Sequence, residues 1–146
     1  MDRRSALAAL ALISLTPAAL AFNVKPLDAY RRHHLFILAP ADDAAARALA
    51  ERIAEALSAK LPDSRAQSVP VADTAQLATF LVSRQFDVAV MAAAAAEALA
   101  AGRPPFATHG PLPLKVLHSA GAHVLVTRTD FLETDARRIA HVLGAP

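Results

Sequence analysis

The sequence predicts an α/β domain. The expected architecture is a three-layer open sheet with a parallel βαβαβ core in strand order 2-1-3, followed by a strand pair and a last helix. Three observations predict it. Apolar runs near residues 35–38 and 86–91, with a second strand of about 65–71 between them, alternate with helical patterns, and such alternation marks βαβ units. The first run, Leu35-Phe36-Ile37-Leu38, is continuously apolar, as suits a strand covered on both faces. The third run passes straight into an alanine-rich stretch closed by Gly102 and stopped by Pro104 and Pro105, which is a strand feeding a helix.

Taken in order, residues 1–21 read as a signal peptide. Arg3 and Arg4 form a charged start, residues 6–15 an apolar segment, Pro17 a break, and Ala19-Leu20-Ala21 a small-x-small cleavage pattern. The arginine pair leaves both the general secretion route and the twin-arginine route open. The apolar segment is too short and too alanine-rich for a good membrane span. The remainder, residues 22–146, is expected to form one domain, exported to the periplasm and not integral to the membrane.

Residues 22–32 form an extended lead-in, and a first strand follows over 33–39, ended by Pro40. Asp42 or Asp43 is placed to cap a helix reaching about Leu61, with Leu49, Ile53, Leu57 and Leu61 as its buried stripe. Pro62-Asp63 is a turn, and a second strand covers about 65–71. Asp73 and Gln76 stand at capping-box spacing before a helix to about Arg84, with Leu77, Phe80 and Leu81 inward. Strand 86–91 and helix 93–101 come next. Right-handed crossovers then put the first strand between the other two. After a loop rich in proline and glycine, residues 114–119 and 122–127 form a strand pair about Gly121, and a last helix starts at Thr134 or Asp135.

Composition narrows the function classes. The chain of 146 residues carries a formal charge of +2, 5% aromatic residues and no cysteine. No basic cluster is interleaved with aromatics, which argues against nucleic-acid binding. The lack of cysteine removes disulfides, thiolate metal sites and cysteine nucleophiles. No glycine-rich phosphate loop, serine elbow or paired-carboxylate arrangement is present, so no catalysis and no cofactor are expected.

Candidate site residues follow from the architecture. In open parallel sheets ligands collect at the carboxyl ends of the strands. That edge comprises the loops Pro40-Ala41-Asp42-Asp43, Ala72-Asp73-Thr74 and Met91-Ala92-Ala93. Pro40, Ala41, Asp73, Thr74, Met91 and Ala92 are therefore the expected ligand-binding positions. Helix starts there offer backbone N–H groups to an anion, whereas the aspartates favour a neutral or cationic ligand or serve only as caps. His109, in the loop after the third helix, is placed near the same cleft. Six histidines are present, but none shows metal-ligand spacing, so no metal site is assigned. His118 and His123 flank the hairpin turn in positions to face each other. Arg128 and Lys115 are either anion partners or solvated strand-end charges, and Arg137-Arg138 a helix face in water.

The run Phe86-Asp87-Val88-Ala89-Val90-Met91, then Gly102-Arg103-Pro104-Pro105-Phe106, Pro113-Leu114-Lys115-Val116-Leu117 and His123-Val124-Leu125-Val126-Thr127-Arg128, resembles type 2 periplasmic solute-binding proteins of the phosphonate-type and TRAP-associated (TAXI-like) groups. The resemblance covers residues 33–130 and rests on element order and short apolar runs. It implies one lobe of a two-lobed clamshell and a solute-binding role in transport. Where such proteins cross to a second lobe, this chain makes one helix and stops. A lone lobe is expected to bind a small molecule in an open cleft, to form a homodimer, or to pair with a periplasmic protein. The alternative is an accessory or assembly protein of a periplasmic redox or transport system.

Overall fold

The computed structural model describes residues 34–144; the expected signal peptide and residues 22–33 lie outside them. The chain runs β1 (Phe36–Pro40), α1 (Ala44–Lys60), β2 (Gln67–Val71), α2 (Thr74–Val82), β3 (Val88–Ala92), α3 (Ala93–Ala101), β4 (Leu114–Ala120), β5 (His123–Arg128) and α4 (Glu133–Val142). Short 3₁₀ turns occupy Pro62–Ser64 and Ala107–His109. One five-stranded sheet has the order β2-β1-β3-β5-β4. β1 pairs in parallel with β2 and β3, while β5 is antiparallel to both β3 and β4. The α/β class and the 2-1-3 parallel core are thus present, within a mixed sheet.

Strand alternation divides the core in two. Ile37, Ala39, Val88, Val90 and Leu125 face the side covered by α1 and α4. Leu38, Ala89, Met91, Val124 and Val126 face the side covered by α2 and α3. β1 and β3 are therefore apolar at consecutive positions because both of their faces are covered. β2 is an edge strand, which is why it tolerates Pro70, a residue with no N–H for a ladder.

Several element ends differ from expectation for local reasons. β3 begins at Val88 because the carbonyls of Phe86 and Asp87 accept from side chains, Arg128 Nη1 at 2.8 Å and Thr127 Oγ1 at 2.6 Å. α2 stops at Val82, and Arg84 beyond it takes a left-handed φ of 60°. Its inward face is Leu77, Ala78 and Leu81, all fully buried. Phe80 is only half-buried and meets Phe86 edge to face. α1 ends at Lys60 with Leu61 as its C-cap. α4 starts at Glu133 with no side-chain cap.

Gly102 ends α3 at φ 65°, where a Cβ would lie 2.7 Å from Pro111 N and 2.9 Å from Gly110 C. No other residue fits there. In the β4–β5 hairpin, Ala120 opposes His123 and Gly121 alone takes positive φ, at 61°, as a type II′ turn requires.

Two expectations are corrected. Arg128 is not a solvated charge: it is 7% exposed. Its guanidinium donates to the Leu81 and Phe86 carbonyls, to Asp87 Oδ1 and to Asp130 Oδ1. It ties the end of α2, the approach to β3 and the end of β5 together. His118 and His123 do not face each other. The β4–β5 register steps between Val116 and His118, so His118 opposes Leu125 while His123 opposes Ala120. Lys115 pairs with Glu133, and Arg137 with the same carboxylate.

Candidate functional site

β1 and β3 are neighbours, yet the helices that follow them go to opposite faces. α1 leaves β1 for one side and α3 leaves β3 for the other. The gap between their carboxyl ends is therefore a topological switch point, where open α/β sheets place ligands.

Five of the expected residues line this edge. Pro40 is buried at the end of β1, and the Ala41 N–H bonds the Val71 carbonyl at 2.7 Å, joining the ends of β1 and β2. Asp73 caps α2, its Oδ1 accepting from Gln76 N–H at 2.8 Å, and Thr74 opens that helix. The Gln76 side chain returns to Ala72 N–H at 2.7 Å, a one-residue variant of the capping box. Ala92 ends β3 opposite His123.

Two expected residues stand elsewhere. Met91 is fully buried in the core beneath α2 and α3, so its side chain is packing. His109 is at the far edge of the sheet. α3 runs back along β3, and the loop after it delivers the chain to Leu114, opposite Arg128 at the other end of β5. A loop that follows a crossover helix lies at the strands' amino ends, which places His109 away from the cleft.

The rim also contains a contact that sequence reasoning missed. His123 Nε2 donates to Asp43 Oδ2 at 2.7 Å, while Asp43 Oδ1 accepts from Ala46 N–H at 3.0 Å. One carboxylate thus caps α1 and holds an imidazole from β5. The histidine side chain is 17% exposed and the aspartate 32%. The Ala46 N–H and then the His123 hydrogen bond hold the Asp43 carboxyl below its ordinary value of 3.8. Since His123 opposes Ala92, the pair reaches from β5 across the end of β3 to the β1–α1 loop, spanning the switch point. The missing signal was the place of the hairpin in the sheet: once β5 lies against β3, its first residue must reach this edge.

The three helix starts differ. α1 and α2 are capped by their own aspartates, whereas α3 has no side-chain cap and its Ala93 N–H bonds the Ala122 carbonyl at 2.8 Å. Asp42, Asp43 and Asp73 give the rim an acidic bias. An oriented imidazole can accept or donate a hydrogen bond to a ligand. Among the described residues no cluster of three or more histidine or acidic side chains could hold a metal ion. No described helix is long and apolar enough to cross a membrane.

Two grooves flank the sheet. One of about 320 Å³ lies beside the rim, between α1 and β2, lined by Ala39, Ala41, Arg47, Glu51, Ser68 and Pro70. A larger one of about 530 Å³ opens at the opposite edge.

No protein-family model, no curated protein and no solved structure matches this chain.

Proposed function

We propose that this chain is an exported, non-catalytic binding domain that takes a small molecule at the carboxyl edge of its parallel strands. The observation that carries the proposal is the Asp43–His123 pair, 2.7 Å long, across the switch point between β1 and β3. It offers a polar, directional group where open sheets receive ligands. The acidic bias of Asp42 and Asp73 favours a neutral or cationic group at this rim over a bare anion. The resemblance to one lobe of a type 2 solute-binding protein supports a periplasmic setting and a role in transport.

Thermal unfolding of the chain in the presence of amines, organic acids, phosphonates and divalent metals tests this reading. The proposal expects at least one class to raise the melting temperature, and His123→Ala to remove that rise. A flat response across the panel would contradict it.

A second reading is an accessory or assembly protein of a periplasmic redox or transport system. β4 is an edge strand whose outer backbone groups have no strand partner among the described residues, and Val116 on it is 55% exposed, which favours a protein contact along that edge. Co-purification of a stoichiometric periplasmic partner, lost in Val116→Lys, tests it.

A further inference from the structure

The larger groove lies at the other edge of the sheet, where β1 and β3 begin, and none of the expected ligand residues touches it. It is formed by the end of α1, the approaches to β1 and β3, and the start of α4. Its volume of about 530 Å³ is in the range of pockets that hold small organic molecules. Leu35, Leu61, Phe131 and Ile139 give it an apolar floor that belongs to the fringe of the α1–α4 core.

The charges at its mouth are of both signs, but they are not equally committed. Arg84 pairs with Asp130 at 2.9 Å, and Arg138 faces Asp135 at 4.0 Å. Asp87 gives one oxygen to Arg128 at 2.7 Å. Asp63, exposed in the turn after α1, forms no ion pair among the described residues. His34, whose ring stacks on Phe36 with centroids 5.8 Å apart, completes the wall. Among the described residues that line the groove, both guanidiniums thus face carboxylates already, and Asp63 is the carboxylate with no ion pair. Phe131 adds an aromatic surface on which an aromatic body can stack.

We propose that this groove is a second binding site, distinct from the rim, for a small organic monocation: an ammonium group on an aromatic or short aliphatic body. The body lies on Leu35, Leu61, Phe131 and Ile139, and the ammonium turns toward Asp63. This site does not depend on the rim reading, because the two lie at opposite ends of the strands.

The test is amide chemical-shift titration of the chain with phenethylammonium, with phenethyl alcohol and phenylacetate as matched neutral and anionic probes. Phenethylammonium is expected to give saturable shifts at Leu35, Ser64, Gln85 and Ile139. Phenylacetate is expected to bind at least about threefold more weakly. Asp63→Asn, at an exposed position outside the core, should weaken phenethylammonium about two- to fivefold and leave phenethyl alcohol unchanged. No saturable shift with the amine, equal binding of phenylacetate, or an Asp63→Asn variant with unaltered amine affinity would each overturn the proposal. Shifts confined to residues 41–43 and 92–94 would overturn it too and leave the rim reading in place.

Discussion

Asp43 and His123 are 80 residues apart in the chain and meet through a 2.7 Å hydrogen bond between Oδ2 and Nε2. The contact joins the first turn of α1 to the first residue of β5, so it fastens the C-terminal hairpin to the parallel core at the edge where β1 and β3 end. His123→Gln should lower stability by about 1 kcal/mol, the usual worth of such a bond. Asp43→Ala should cost about 1 kcal/mol more, because it also removes the α1 cap. Urea denaturation of the two variants checks the ordering.

The same aspartate has a pH signature. Its carboxyl is held below 3.8 by the Ala46 N–H and by His123, so its ionised form favours the folded state. The stability it contributes is present above 3.8 and is lost as the pH falls through the lower folded value. Asp43→Asn keeps a good cap but does not titrate. The stability gap between the wild type and Asp43→Asn should be open at about pH 5 and shrink toward about pH 2.5. Denaturant midpoints across that interval measure it; a gap of constant size would contradict the assignment.

Arg128 should be the least replaceable charged residue in the described domain. It is 7% exposed, and its guanidinium meets two carbonyls and two carboxylates. Arg128→Ala takes the side-chain donor from the Phe86 carbonyl and from Asp87, while Leu81 keeps the Arg84 N–H and Asp130 keeps the Arg84 guanidinium, so it should cost about 2–3 kcal/mol. Arg128→Lys restores the charge without the planar fork and should recover only part of it. Calorimetry on both variants distinguishes these outcomes.

Gly102→Ala should destabilise by about 2 kcal/mol or more, since it combines a left-handed φ with contact against Pro111. Gly121→Ala is the control. It shares the positive φ, but a Cβ there meets nothing within 4 Å, so its cost should be about 1 kcal/mol. The difference between the two melting temperatures isolates the steric part.

Much of the fold was legible because its signals are local. Asp43 and Asp73 announce helix starts, Gly102 and Gly121 a stop and a turn, and the apolar runs about Ile37 and Val90 announce strands covered twice. The site was less legible because its defining contact is not local. Asp43 reads as a cap whether or not an imidazole lies beside it. His123 reads as half of a hairpin pair until β5 is docked on β3. Arg128 reads as a solvated strand end because the carbonyls that bury it, those of Leu81 and Phe86, lie more than 40 residues away. His109 was misplaced because proximity in sequence to α3 says nothing of which end of the sheet the loop reaches.

The rim proposal is tested most directly by hydrogen–deuterium exchange of the chain with and without whichever panel compound raises its melting temperature. The account predicts slowed exchange at residues 41–46, 92–96 and 121–123, the segments that meet around Asp43 and His123. Unchanged exchange in those segments, or protection confined to residues 61–64 and 84–87 at the opposite edge, would contradict it.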